Sequence, residues 1–210
     1  MYPSKTAPER KADSIVHAVS LIAFIGLGAY LLMLVLSIQD APVIAATSVY
    51  VLAVLSSISV SYLYHLTPRH DWRPTLRRWD HAAIYTVIAG TFTPLLIVAG
   101  TGSALLILTM IWIFAVIGVA FKLLASEIDT RWSLFSYLGM GWFALFALPD
   151  FWSQLPKLCT VAIACGGLFY TIGTLFYRNK ELPYRYPIWH TFGTLGGTSF
   201  FFAIWTAVSA

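Results

Sequence analysis

Charged residues and cysteines are both scarce in this sequence. Only 10% of the 210 residues are Asp, Glu, Lys or Arg, and two are cysteine. Soluble domains carry roughly 25% charged residues, so too little polar surface is available to cover a water-facing domain of this length. The shortage excludes a soluble enzyme, a nucleic-acid-binding protein and a disordered chain. A disulfide-stapled secreted domain is excluded too, because Cys159 and Cys165 would lie about 9 Å apart in a helix, too far to bridge.

Long apolar runs take the place of the missing charge, and 59% of the residues are hydrophobic. A helix that crosses a bilayer needs about 20 mostly apolar residues. Seven such stretches can be recognised, at 14–36, 43–66, 80–99, 103–124, 132–149, 158–177 and 188–208. The connections between them are short. The sequence therefore predicts an all-α integral membrane protein, a seven-transmembrane-helix bundle in which residues 1–210 form a single domain.

Basic residues are concentrated on one side of the predicted bundle. Twelve of the thirteen Lys and Arg residues lie in the N-terminal segment or in the second, fourth and sixth connections, and only Lys157 lies in the fifth. Because such residues accumulate on the cytoplasmic side, we predict a cytoplasmic N-terminus and an outside C-terminus in the inner membrane of a bacterium. This orientation excludes G-protein-coupled receptors and microbial rhodopsins, whose N-termini lie outside. The last apolar stretch also lacks the lysine that a retinal protein needs.

Most ionisable residues of the apolar stretches are predicted to lie at one depth. His17 lies in the first stretch, His65 ends the second, Asp80 and His81 open the third, and His190 opens the seventh. Successive helices run in opposite directions, so these side chains should gather near the cytoplasmic surface. Each costs about 2.5–3.5 kcal/mol at the centre of a membrane helix, which makes each a functional candidate. Imidazole and carboxylate ligands suit zinc, and an open ligand position would make a bound water nucleophilic.

Structural explanations compete with this interpretation. A histidine at a membrane surface can face lipid headgroups, and an aspartate can cap a helix. Two polar stripes at four-residue spacing are at least as typical of interhelical packing as of chemistry; they are Ser57, Ser61 and His65 on the second helix, and His190, Thr194 and Thr198 on the seventh. The conjunction of His65, Asp80 and His190 in one layer is what favours a metal site.

Several segments around these residues match the sequence patterns of one known family. They are Glu9, Asp13 and His17 at four-residue spacing, Ser61-Tyr62-Leu63-Tyr64-His65, residues 76–85 with 88–94, residues 166–173, and Ile188-Trp189-His190. Together they span nearly the whole chain. In these segments the sequence resembles the haemolysin III family, the bacterial branch of the progestin and adipoQ receptors, which include the adiponectin receptors. Asp13 stands where the family usually has Asn.

The resemblance implies a seven-helix fold with a cytoplasmic N-terminus and a zinc ion. Zinc would be held by the histidine of a Ser-x-x-x-His element, here His65, and by two histidines of a His-x-x-x-His element on the last helix. His190 matches the second of these, but Tyr186 stands at the first position. A later histidine common in the family aligns with Phe200. We therefore predict His65 and His190 as metal ligands and look for a replacement third ligand.

His17 and His81 are the nearest candidates for that third ligand, and helical geometry favours His17. On an ideal helix the His81 side chain points about 100° away from that of its neighbour Asp80. The two side chains can therefore hardly reach the same metal ion. The resemblance implies that Asp80 contacts or activates the metal-bound water. Ser61, one turn before His65, is predicted to support the site in catalysis.

Three hypotheses about function follow. The first is a zinc-dependent hydrolase of lipid-like amide or ester bonds, since the resemblance extends to a wider group that includes the alkaline ceramidases. The second is a non-enzymatic membrane sensor or membrane-homeostasis factor whose metal site is structural or degenerate. The third is a pore-forming haemolysin. A continuous polar lining through to the outer side would favour it, and the sequence shows no such lining. The expected partners are membrane lipids, including a lipid-like substrate, and not nucleic acid.

Overall fold

The structure is a computed structural model that describes residues 2–124 and 130–210. Within these ranges seven helical spans are long and apolar enough to cross a membrane. The predicted all-α, seven-helix architecture is therefore confirmed. The helices are α1 (Ala7–Ile38), α2 (Ala41–Leu66), α3 (Arg73–Ala99), α4 (Gly102–Leu124), α5 (Thr130–Phe143), α6 (Leu148–Gln154), α7 (Lys157–Arg178) and α8 (Arg185–Val208).

Several helices begin earlier than the apolar stretches suggested. Thr6 caps α1: its hydroxyl accepts a hydrogen bond from the Glu9 amide at 3.3 Å, and the Glu9 carboxylate accepts one from the Thr6 amide at 2.9 Å. This reciprocal capping starts the helix at Ala7 instead of residue 14. Likewise α3 begins at Arg73 and α8 at Arg185. A hydropathy pattern shows only the apolar part of a helix. The polar turns that precede this part belong to the same helix but are not predicted by hydropathy.

The fifth span is interrupted near its far end. After α5, residues Ala144–Ala147 form a 3-10 turn, and α6 continues the span to Gln154. Pro149 lies in the first turn of α6, and proline has no N–H to give to the preceding turn. The span is therefore two helices joined by a tighter turn, and it runs five residues beyond the predicted end at 149.

Helix α3 lies at the centre of the bundle. In the most apolar window of its span 61% of the residues are buried inside the protein, against 22% for α1. Close contact with α4 depends on Gly118, where an added Cβ would lie 2.5 Å from the ring of Tyr85. At the end of the bundle away from the N-terminus, Asp150 of α6 accepts hydrogen bonds from Thr101 at 2.6 Å and Ser103 at 2.8 Å. These contacts fix the turn between α3 and α4.

Candidate metal centre

A carboxylate from α1 and two imidazoles from α2 and α8 meet at the end of the bundle where α1 begins. The Nδ1 atom of His65 lies 2.8 Å from Oδ2 of Asp13, and the Nδ1 atom of His190 lies 2.7 Å from Oδ1. Asp13 is 1% exposed. Because an ionised carboxylate can only accept hydrogen bonds, each Nδ1–H donates to it. One side chain of α1 thereby joins the second and last helices.

His17, one turn after Asp13, completes a group of three imidazoles. Its ring centroid lies 4.2 Å from that of His190 and 5.4 Å from that of His65. Its Nδ1–H donates to the backbone carbonyl of Asp13 at 2.8 Å, which leaves Nε2 to accept from the Ser61 hydroxyl at 3.2 Å. Both ring nitrogens of His17 are thus engaged, and the hydrogen bond of the Ser61 hydroxyl to an imidazole goes to His17.

The N-terminal segment covers the carboxylate. Ser4 is buried and its hydroxyl donates to Oδ2 of Asp13 at 3.1 Å. Tyr2 holds the segment in place, since the Arg73 guanidinium lies 4.4 Å and the Arg10 guanidinium 5.0 Å from its ring centroid. Asp13 therefore accepts from a hydroxyl as well as from the imidazoles, and is shielded from water.

A cavity of about 2060 Å³ adjoins the three imidazoles. His17, His65 and His190 line it, whereas Asp13 is not among the described residues that do. Much of the remaining wall is apolar, with Phe24, Ile58, Ile84, Val87 and Leu138 among its residues. The imidazoles thus lie between the buried carboxylate and a large cavity whose wall is mostly apolar.

Asp80 and His81 lie on α3, two turns from its start. Asp80 is half-buried and lines the cavity, but among the described residues no hydrogen bond or ion pair joins it to the histidine cluster. His81 is buried beside Tyr137, whose hydroxyl lies 3.3 Å from the His81 Nδ1 atom and donates to the His81 carbonyl at 2.9 Å. The structure therefore brings both Asp80 and His81 to the same cavity, and among the described residues the His81 ring pairs with Tyr137 of α5 and not with the histidine cluster.

Comparison with known proteins identifies the family. The model of a family described as "Haemolysin-III related" matches residues 8–201. The chain belongs to the haemolysin III-related family. It is 29% identical over 200 residues to a Hemolysin-3 homolog of Bacillus subtilis (strain 168), which covers 95% of this chain and 94% of the relative. It is also 29% identical over 197 residues to Hemolysin-3 of Bacillus cereus, covering 92% of this chain and 89% of the relative.

A more distant relative is animal. The chain is 27% identical over 167 residues to the monocyte to macrophage differentiation factor of Homo sapiens, which covers 75% of this chain and 68% of the relative. The resemblance that the sequence motifs indicated is thereby confirmed at the level of the family.

Tyr186 takes part in the cluster of this haemolysin III-related protein. Its ring centroid lies 4.9 Å from that of His65 and 6.4 Å from that of His190, and it lines the cavity. It precedes His190 by four residues on α8, so both side chains face the same way. The position at which the resemblance implies another histidine is therefore inside the cluster and is occupied by the phenol of Tyr186.

Asp13 is the central residue that sequence reasoning did not select. A signal for it existed, because the Glu9, Asp13 and His17 pattern places it one turn before a candidate ligand and in place of the usual Asn. The first apolar stretch begins at residue 14 and therefore leaves Asp13 outside the predicted span. The structure shows that the helix already includes Asp13 and turns it inward.

The donor set fits a metal ion. Asp13, His65 and His190 each offer one ligand atom, and these atoms all lie within 4.8 Å of one another. Imidazole nitrogen and carboxylate oxygen together are ligands of zinc and of other transition metals. The cluster is thus a candidate metal centre at the wall of a large cavity.

Proposed function

We propose that this haemolysin III-related protein is a zinc-dependent membrane hydrolase that cleaves a lipid-like amide or ester bond. The observation that carries the proposal is the meeting of Asp13, His65 and His190 beside a cavity that Asp80 also lines. Catalytic zinc sites use such ligands and keep one position open for water. A purely structural site has no need of a cavity on one side.

The chain supplies the other groups that hydrolysis needs. Zinc, when bound, lowers the pKa of its water to about 7 and polarises a carbonyl. The Asp80 carboxylate accepts a proton from the attacking water and returns it to the leaving amine or alcohol. The new C–O bond forms as the C–N or C–O bond of the substrate breaks, and the products are a carboxylic acid and an amine or an alcohol.

The cavity indicates the class of substrate. A typical pocket for a drug-sized ligand measures about 300–1,000 Å³, and this cavity is about 2060 Å³. Apolar side chains such as Phe24, Ile58 and Leu138 contribute to its wall. They would contact the acyl chain of a membrane lipid and keep bulk water away from the scissile bond.

For the orientation, we propose a cytoplasmic N-terminus in the inner membrane of a bacterium. Twelve of thirteen basic residues support it, and it places the metal centre at the inner leaflet. Alkaline phosphatase, which is active only outside the cytoplasm, should be active when fused after Ala210. Activity of a fusion in the connection between α2 and α3, but not after Ala210, would contradict the orientation.

Zinc content and turnover test the catalytic proposal. We expect purified wild-type protein in detergent to hold stoichiometric zinc, and His65→Ala and His190→Ala to lose it. His81→Ala is the matched control, because His81 is a buried histidine outside the cluster and should leave zinc in place. Asp80→Asn should retain zinc and lose turnover of a ceramide-like substrate.

The alternatives give different results in the same experiments. Zinc bound in the wild type without turnover of any amide or ester lipid in a panel would contradict the hydrolase and favour a sensor or homeostasis factor with a structural metal. Leakage of dye from liposomes that persists in His65→Ala, His190→Ala and Asp80→Asn would favour a pore.

A further inference from the structure

The candidate metal centre has a closed side and an open side. Asp13 is 1% exposed and lies under Ser4, away from the cavity. His65 and His190 line the cavity and lie between it and the carboxylate. An ion could therefore bind at two places: behind the rings with the carboxylate, or in front of them at the cavity.

The ring nitrogens distinguish these places. In both histidines Nδ1 is engaged by Asp13, at 2.8 Å for His65 and 2.7 Å for His190. Each Nε2 atom has no hydrogen-bond partner among the residues described. In those parts of the chain the fully buried side-chain polar atoms without a partner are Thr47 Oγ1 and the Tyr50 hydroxyl. Neither Nε2 atom is among them, and both rings line the cavity.

We infer that Asp13 is a positioning residue that orients both imidazoles from behind, and that the metal binds on the cavity side at Nε2 of His65 and His190. This rests on the proposed metal centre. Histidines that bind a metal usually donate their other N–H to a carboxylate or carbonyl, which fixes the tautomer and makes the ring a better ligand. Here one carboxylate does so for two ligands at once, and the remaining ligand positions are left to groups that reach the cavity.

The opposite arrangement has a different consequence. An ion coordinated by Asp13 and the two Nδ1 atoms would require both Nδ1 atoms to lose their protons. It would also lie behind the rings, where no substrate in the cavity could reach it. The choice of nitrogen therefore decides between a centre that can act on a ligand in the cavity and one that only supports the fold.

Nitrogen NMR with cadmium in place of zinc identifies the coordinating atoms. We expect protein labelled with ¹⁵N-histidine and loaded with ¹¹³Cd²⁺ to show one-bond cadmium coupling at two Nε2 resonances, while the Nδ1 atoms of the same rings keep their protons. Spectra of His65→Ala and His190→Ala without metal each lack the ¹⁵N resonances of one ring and so assign the two rings in the wild type. Cadmium coupling at Nδ1 would overturn the inference.

Variants of the carboxylate provide a second measurement. Asp13→Asn should weaken zinc binding by about 10–100-fold, as loss of an orienting partner does, and leave cadmium on the same two Nε2 atoms. Ser4→Ala is the control that removes a neighbour of Asp13 but keeps the carboxylate. If Asp13→Asn moved or removed the Nε2 couplings at saturating cadmium while its fold was unchanged, Asp13 would be a ligand and the inference would be wrong.

The metal-free protein separates failure of this inference from failure of the proposed function. Without metal, the ¹⁵N shifts of His65 and His190 should show the Nδ1–H tautomer, and Asp13→Ala should abolish that preference. Nε2–H tautomers in the wild type would overturn the role of Asp13 even if zinc binds and lipid is cleaved. Failure of the wild type to bind any zinc or cadmium would overturn the proposed function and the metal position together.

Discussion

The Nδ1 atom of His190 lies 2.7 Å from Oδ1 of Asp13, although 177 positions separate the two residues in the chain. The other carboxylate oxygen meets His65, 52 positions away, at 2.8 Å. One buried carboxylate thus joins α1, α2 and α8. Since the ligands converge only in the folded bundle, metal affinity and the stability of the fold are linked.

Zinc is expected to stabilise the folded protein. A ligand that binds only the folded state at a free concentration of 100 times its Kd adds about 2.7 kcal/mol. The midpoint of thermal unfolding in detergent should therefore rise with zinc and fall on chelation in the wild type. His70→Ala should respond alike, because His70 is an exposed histidine outside the cluster, whereas His65→Ala should not respond. A wild-type midpoint indifferent to zinc would refute this prediction.

Tyr186→His is expected to tighten zinc binding. The new imidazole would stand one turn before His190 on the same face of α8 and beside His65, whose ring centroid lies 4.9 Å from that of Tyr186. A third neutral nitrogen is a better zinc ligand than a protonated phenol. Competition with a calibrated chelator should give a Kd at least ten-fold lower. Tyr186→Phe is the control for loss of the hydroxyl and should not tighten binding.

Ser4→Ala is expected to weaken zinc binding less than Asp13→Asn does. The variant removes one hydrogen bond to Oδ2 of Asp13, and such a bond contributes about 1 kcal/mol, or about five-fold in Kd. Ser37→Ala is a suitable control, since the exposed hydroxyl of Ser37 donates to the Leu34 carbonyl and lies outside the cluster. Equal zinc affinity in Ser4→Ala and the wild type, measured by the same chelator competition, would mean that the N-terminal segment does not hold the carboxylate.

Gly118→Ala is expected to destabilise the bundle without altering the metal centre. The added Cβ would lie 2.5 Å from the Tyr85 ring, and overpacking of this kind costs about 1–3 kcal/mol. Gly26→Ala is the matched control, because nothing lies within 4 Å of its added Cβ and alanine favours a helix. Unfolding midpoints of the two variants should differ clearly, with Gly118→Ala the lower. Similar midpoints would mean that Tyr85 moves aside at little cost.

The seven spans and the layer of histidines could be predicted because they depend on one-dimensional features. Apolar length sets a span, and alternation of direction sets which ends meet. The sequence therefore predicts that His17, His65 and His190 lie near one another, and their ring centroids are 4.2 to 5.4 Å apart.

What the sequence did not reveal depends on how each helix is rotated about its axis and on where it really begins. Asp13 lay just outside the first apolar stretch, although capping by Thr6 brings it into α1. Asp80 lies at the predicted depth and lines the cavity, but among the described residues it makes no hydrogen bond to the histidines. Pro149 breaks the fifth span in a way that hydropathy does not register.

The link between α1 and α8 also has a consequence for synthesis. Asp13 is synthesised 177 residues before His190, so the carboxylate lacks one of its imidazole donors until α8 has been made. Desolvating a carboxylate without its full set of donors is unfavourable, and a nascent chain that stops before α8 retains that defect. A chain truncated before α8 therefore differs locally from one that contains α8, because its Asp13 carboxylate lacks the His190 donor.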